Sequence, residues 1–229
     1  MEIAPGVHLI STAMVNLYVV ETTDGPMLVD TGMSRDTSRL TTRLAEMGFD
    51  LSQLCAIFLT HGDMDHVGGA AAFRRASGAP ILAHAADLDF IAGRAQRPTG
   101  TGPVAAIFGP LTQPIMRTRW IKAPPATVDR FVVDGETVAD GWRVVHLPGH
   151  TPGLVGLYHP ARRVLLAGDA VSNLGRLRLP PAFLTMDTPA AKASVHKMAA
   201  LDFETLGIGH GAPVTRAASA AVKKLAATL

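Results

Sequence analysis

Short apolar runs, broken by glycine, proline and aspartate, dominate the first third of the chain. VHLI, NLYVVE and PMLVD (residues 7–10, 16–21 and 26–30) are β-rich at strand length, and Asp24-Gly25 supplies a hairpin turn between the last two. From about Asp36 to Met47 the period changes: Leu40, Leu44 and Met47 recur at helical spacing, and Gly48 closes the helix. CAIFLT (55–60) is a continuous apolar run, the kind used by a sheet covered on both faces. Beyond it, VGGAAAFRRASG predicts a short helix, PILAH a strand and AADLDFIAG a further helix.

The second half repeats this style. FVVDGETV (131–138) and WRVVHLP (142–148) read as strands, LVGLYHP and RRVLLAG as a hairpin, and Ala190 to Ala200 and Thr215 to Ala227 as helices. GPMLVDTG near residue 30 and RRVLLAGD near residue 169 are each an apolar strand running into an acidic, glycine-containing corner. That weak symmetry points to two βα halves meeting face to face. Between Gly93 and Pro125 periodicity fades among prolines, glycines and the hydrophobics Ile107, Phe108, Ile115, Met116 and Trp120. A patternless stretch of that length is expected to be a lid, a binding loop or an interface, including a homodimer contact.

Composition narrows the class. The 229 residues, 48% hydrophobic and 17% charged, suit a single domain over 1–229 whose core needs no disulfide. The single Cys55 sits in an apolar run and reads as a buried small hydrophobe rather than a nucleophile. A net charge of +2 with scattered basic residues gives no polynucleotide groove, so no nucleic-acid partner is expected. No stretch approaches the ~18 apolar residues of a membrane span. MEIAPGVHLI lacks the layout of an export signal, so a cytoplasmic location is expected.

The chemistry is concentrated in THGDMDHVGG (60–69), where His61, Asp63, Asp65 and His66 are all metal-ligand types. Their spacing is expected to converge on a loop leaving a buried strand, because a regular helix would splay them around its circumference. Three more motifs place one such residue beside glycine or proline at a strand end: His150 in PGHTPG, Asp169 in AGDA and His210 in GIGHGAP.

H-x-D-x-D-H, PGHTPG, GDA and GHG, in that order, resemble the metallo-β-lactamase superfamily, especially its glyoxalase II-like hydrolases. The resemblance runs from Asp30 to His210, nearly the whole chain. It implies an α/β architecture, the four-layer αβ/βα sandwich with two mixed sheets and helices outside. It also implies two divalent metal ions, zinc favoured with iron or manganese as alternatives. His61, Asp63 and His150 would hold one, Asp65, His66 and His210 the other, and Asp169 would bridge. Asp30, in VDTG, matches an acidic motif that orients ligands rather than binding metal.

The implied reaction is hydrolysis of a small ester-like molecule (thioester, lactone or carboxylic ester) by a metal-bridging hydroxide, with Asp65 and Asp169 as the catalytic carboxylates that orient it. No side-chain nucleophile is needed, and G-x-S-x-G is missing. The alternatives are a di-iron redox protein related to the flavodiiron core, which would need a flavin domain, and a β-lactam hydrolase, which would act outside the cytoplasm. Glyoxalase II proper grips glutathione with a C-terminal helical region. This sequence ends 19 residues after His210, so a dedicated glutathione thioesterase is not expected.

One residue departs from the family pattern, which has histidine where this chain has Asp63. Two divalent ions, three carboxylates and a hydroxide cancel, whereas histidine in place of Asp63 leaves one positive charge. The sequence therefore predicts a less electrophilic centre whose water is harder to deprotonate. The remaining candidates read as structural. His8, His84, His146, His159 and His196 are expected to be satisfied or surface residues, Asp87 and Asp89 solvated, and Tyr18 and Tyr158 packed in strands.

Overall fold

Strands buried on both faces build two sheets that share a core. The computed structural model describes residues 1–98 and 123–229; apart from its ends, the 93–125 stretch with Ile107, Phe108, Ile115, Met116 and Trp120 lies outside the described residues. The first sheet holds β1 (Glu2–Ala4), β2 (Val7–Ser11), β3 (Asn16–Val20), β4 (Met27–Val29), β5 (Ala56–Phe58), β6 (Ile81–Ala83) and β7 (Arg130–Phe131), side by side in chain order. β1 to β4 run antiparallel, and β4 to β7 run parallel. Parallel neighbours need crossovers. Helix α1 (Thr37–Glu46) links β4 to β5, and α2 (Met64–Val67) with α3 (Ala70–Ser77) links β5 to β6, followed by the single turn α4 (Leu88–Ile91).

The second sheet holds β8 (Thr137–Ala139), β9 (Trp142–His146), β10 (Val155–His159) and β11 (Val164–Leu166), then, after the small hairpin β12 (Ser172–Asn173) and β13 (Leu177–Arg178), β14 (Thr205–Gly207). Its spatial order is β14-β11-β10-β9-β8. Helices α5 (Thr188–Ala199) and α6 (Ala218–Ala226) complete the chain.

Period-two alternation sends successive side chains to opposite faces. Tyr18, Val20, Met27, Val29 and Phe58 meet Trp142, Val144, Leu157 and Leu166 of the second sheet in the central core. Leu17, Val19, Leu28 and Ile57 point the other way, onto Leu40, Leu44 and Phe73 of the helices. Val145, Leu165 and Leu206 likewise meet Val195, Met198 and Val222 of α5 and α6. Three apolar layers therefore join four layers of structure, the α/β sandwich expected. β4 and β11 each have one antiparallel and one parallel neighbour, which gives the internal symmetry a structural counterpart.

Two sequence expectations need correction. FVVDGETV is not one strand: Phe131 ends β7 in the first sheet, a turn at Asp134-Gly135 intervenes, and Thr137 opens β8 in the second. AADLDFIAG yields only a 3₁₀ turn and the four residues of α4, too short for a predicted full helix. Among the described residues, no helix is long and apolar enough to cross a membrane.

Candidate metal centre

Strands of both sheets end at one cluster of donor side chains. β4 stops at Asp30, whose φ of 62° lies in the left-handed region that aspartate tolerates better than most residues. That corner turns the Asp30 carboxylate toward β5, where it accepts from Thr60 N at 2.8 Å and Thr60 Oγ1 at 2.8 Å, and from His66 Nδ1 at 2.8 Å. Thr31 N and Oγ1 both donate to the His66 carbonyl at 2.7 Å. The His66 ring is thereby fixed with Nε2 facing Asp169.

β5 runs into His61, whose Nδ1 meets Thr60 Oγ1 at 2.9 Å. Asp63 stands at the N-cap of α2, where an aspartate ordinarily accepts from helix amides, but here it makes no cap hydrogen bond. Its Oδ2 lies 3.0 Å from His150 Nε2 and 3.6 Å from His61 Nε2, and its Oδ1 lies 2.9 Å from Arg97 Nε. Asp65 and His66 occupy the single turn of α2 rather than the expected loop. Because α2 is one turn long, two adjacent residues about 100° apart still reach the same donor group, with His210.

The second sheet supplies the rest. His150 sits in the turn between β9 and β10, Asp169 in the 3₁₀ turn after β11, and His210 just beyond β14. Asp169 is central. Its Oδ2 lies 3.0 Å from His210 Nε2, 3.5 Å from His150 Nε2 and 4.0 Å from His61 Nε2, and its Oδ1 lies 3.5 Å from His66 Nε2. This crowding requires a glycine: a Cβ on Gly209 would sit 2.0 Å from Asp169 Oδ1. His210 pairs with Asp65 at 3.3 Å and anchors its Nδ1 on the Met14 carbonyl at 2.7 Å. Tyr18, packed as expected, also ties the strand end to the first sheet, since its hydroxyl donates to Ile208 O and accepts from Ile208 N.

All seven sequence candidates thus converge. They fall into three groups whose donor atoms lie within 4.8 Å of one another: His61, Asp63 and His150; His61, His66 and Asp169; Asp65, His66 and His210. His61 Nε2, His66 Nε2 and Asp169 Oδ1 are buried with no hydrogen-bond partner. Buried polar atoms left unpaired are costly, and four imidazoles with three carboxylates are donors for divalent cations. The residues fit metal binding.

Charge balance in the bare site is strained in a consistent direction. Burial opposes ionisation of Asp63 and Asp169, but Arg97 with His150 and His61 holds the first carboxyl, and His66, His210 and His150 hold the second, well below the usual range. Burial also disfavours imidazolium, and at His150 it wins. At His66 the carboxylates of Asp169, Asp30 and Asp65 outweigh it, and at His210 the contacts with Asp169 and Asp65 raise the pKa to about 10.

Two residues of this neighbourhood escaped the sequence reading. Asp87, expected to be solvated, is buried and accepts from Gly62 N at 2.8 Å, Thr151 Oγ1 at 2.7 Å and Gly153 N at 2.7 Å. It fastens the loop of His61 to the loop of His150. A Cβ on Gly153 would fall 2.7 Å from this carboxylate. The available signal was position, because Asp87 closely follows β6 at the same strand-end face as the ligand motifs. Arg97 is the other, 18% exposed at its side chain, in a segment with no pattern to mark it. Asp89 is exposed and pairs with Arg94. His84 and His146 stack on each other with centroids 4.3 Å apart, His8 pairs with Glu21, and His159 meets the Asp140 carbonyl, all away from the donor cluster. Cys55 is half-buried rather than buried, against Thr22 and the Gly25 carbonyl.

Known proteins share this arrangement of sequence and fold. The probable metallo-hydrolase YflN of Bacillus subtilis is 30% identical over 236 residues, covering 93% of this chain and 87% of that protein. A hydroxyacylglutathione hydrolase of Aeromonas hydrophila is 31% identical over 79% of this chain, which spans only 54% of that protein's length. The crystal structure of TTHA1623 in a di-iron-bound form superimposes with a TM-score of 0.71 at 28% identity, covering 97% of this chain and 99% of that one. The sequence profile described as the Metallo-beta-lactamase superfamily matches residues 11–210. The chain therefore belongs to the metallo-beta-lactamase superfamily, as one of its metallo-hydrolases.

Proposed function

We propose that this protein hydrolyses a small ester-like substrate (thioester, lactone or carboxylic ester) at a centre of two divalent ions. His61, Asp63 and His150 would hold one ion, Asp65, His66 and His210 the other, with Asp169 shared between them. The observation that carries this reading is Asp169, whose two oxygens face the Nε2 atoms of all four histidines, those of His61 and His66 making no hydrogen bond. Divalent ions bound there lower the pKa of water and polarise a carbonyl oxygen.

The chain's own groups do the rest. Asp65 and Asp169, held ionised, accept the hydrogen bonds that orient an attacking water. Asp30 fixes the His66 ring and Asp87 locks the two ligand loops, so the donors are set before substrate arrives. The Cys55 thiol, raised in pKa by burial, lies outside the donor cluster and has no part in this scheme.

The hydroxyacylglutathione hydrolases among the relatives support a thioester, and the chain spans about half of such a protein. Zinc is our choice of metal, with manganese or iron as alternatives; the di-iron form of TTHA1623 supports iron. The test is elemental analysis of protein purified without added metal, then a screen of thioesters, lactones, carboxylic esters and β-lactams. Two metal equivalents and ester hydrolysis abolished by chelation are expected. Full activity after exhaustive chelation would overturn the proposal, and two irons with no hydrolysis of any ester would turn it toward redox chemistry.

A further inference from the structure

We propose that Arg97 is a positioning residue that holds Asp63 in ligating orientation and supplies the positive charge lost by having aspartate where the family has histidine. The two oxygens of Asp63 divide their contacts. Oδ2 faces the imidazoles of His150 and His61, at 3.0 and 3.6 Å, and Oδ1 forms an ion pair with Arg97 Nε at 2.9 Å, a contact of charge alone, since neither atom makes a hydrogen bond. A carboxylate free to rotate at a helix N-cap would turn to the backbone amides of α2. Asp63 makes no such bond, and the guanidinium occupies its other side.

Arg97 is itself anchored. Its Nη2 donates to the His150 carbonyl at 3.0 Å and to the Leu184 carbonyl, so the guanidinium is braced by the His150 turn and by the segment after β13. A guanidinium this enclosed is costly unless paired, and its planar fork suits one carboxylate together with neighbouring carbonyls. Two backbone carbonyls and the charge of the Asp63 carboxylate hold it beside the donor cluster, with Nη2 also 3.4 Å from His150 Nε2.

The charge count then changes. Asp63 alone leaves the paired-ion centre neutral, as the sequence implied. Arg97, in contact with Asp63, returns the single positive charge that a histidine would have left. On this reading aspartate plus arginine is an electrostatic substitute for histidine.

This inference rests on Asp63 being a ligand, and the experiment separates the two claims. Zinc affinity is measured by chelator competition, and the absorption spectrum of the cobalt-substituted protein is recorded, for wild type, Asp63→Ala, Asp63→His, Arg97→Gln, Arg97→Lys and the Asp63→His/Arg97→Gln double variant. Arg97→Gln is expected to weaken one of the two bound zinc ions by about tenfold or more and to shift the cobalt spectrum, with partial rescue in Arg97→Lys. In the Asp63→His background the same change is expected to leave affinity unchanged or improved. Unchanged affinity and spectrum in Arg97→Gln, or an equal loss in both backgrounds, would overturn the role of Arg97. An effect confined to KM for anionic substrates would overturn it too, in favour of substrate binding. Full metal content in Asp63→Ala would instead remove Asp63 from the ligand set.

Discussion

Thr151 donates its hydroxyl hydrogen to the carboxylate of Asp87 at 2.7 Å, joining residues from opposite sheets directly behind the donor cluster. The same carboxylate takes the amides of Gly62 and Gly153. Replacing Asp87 with alanine leaves three buried donors unmatched, each costing about 1–3 kcal/mol. Calorimetry of Asp87→Ala is expected to show a loss of roughly 3 kcal/mol or more together with weaker metal binding. Asp87→Asn, which keeps the acceptor oxygen, should recover part of both. A stable Asp87→Ala variant with undiminished metal content would contradict this account.

Asp30 offers a cleaner separation of charge from shape. Asp30→Asn preserves volume but removes the negative partner of the His66 Nδ1–H. Metal affinity is expected to fall by about 10- to 100-fold. Isothermal titration measures it, and equal affinity would show that the carboxylate is dispensable.

Gly209 allows a steric test. A methyl group there would collide with Asp169 Oδ1, and with His66 Cε1 at 2.8 Å. Gly209→Ala is expected to fold but to lose more than half of its bound metal, as read by elemental analysis. A normal metal count would mean that the strand end shifts at little cost.

Protonation of the bare site sets the pH dependence of loading. His210 titrates near 10 and His66 well above its ordinary value, so both carry protons at neutral pH in the metal-free protein. Metal ligation needs neutral imidazole, so loading must displace those protons and apparent affinity should rise with pH. Titrations in buffers of different ionisation enthalpy are expected to report roughly two protons released. For stability the sign is fixed by the raised pKa of His210. Its contribution to the metal-free fold is full below about 6.5, the unfolded value, and is lost as pH rises through about 10. Asp63 and Asp169, depressed on folding, contribute above their ordinary value near 3.8 and lose that contribution as pH falls through their lower folded values. Proton uptake on loading, or metal-free stability rising from pH 7 to 10, would contradict this assignment.

Much of this centre is legible in the sequence because its donors are local. His61, Asp63, Asp65 and His66 form one string, and His150, Asp169 and His210 each stand beside glycine or proline after an apolar run. Asp87 and Arg97 are different. Each is one charged residue in a nondescript stretch, and the partners that define it, Thr151 and Gly153 for one and the His150 and Leu184 carbonyls for the other, lie more than fifty residues away. The strand pattern has the same limit. FVVDGETV is strand-like in composition, but composition does not say which sheet a residue joins, so the crossing at Asp134-Gly135 was hidden. The sandwich itself was readable through the family resemblance that the four motifs carry, with the repeated apolar strand and acidic corner in keeping with it.

The division of donors between the sheets has a mechanical outcome. His61, Asp63, Asp65 and His66 follow a strand end of one sheet, and His150, Asp169 and His210 follow strand ends of the other. Each ion held as proposed would rivet the two layers together, so occupancy becomes a fastening as well as a reagent. Loading should therefore raise the melting temperature in step with free metal concentration, and neither sheet with its own helices would retain an ion by itself.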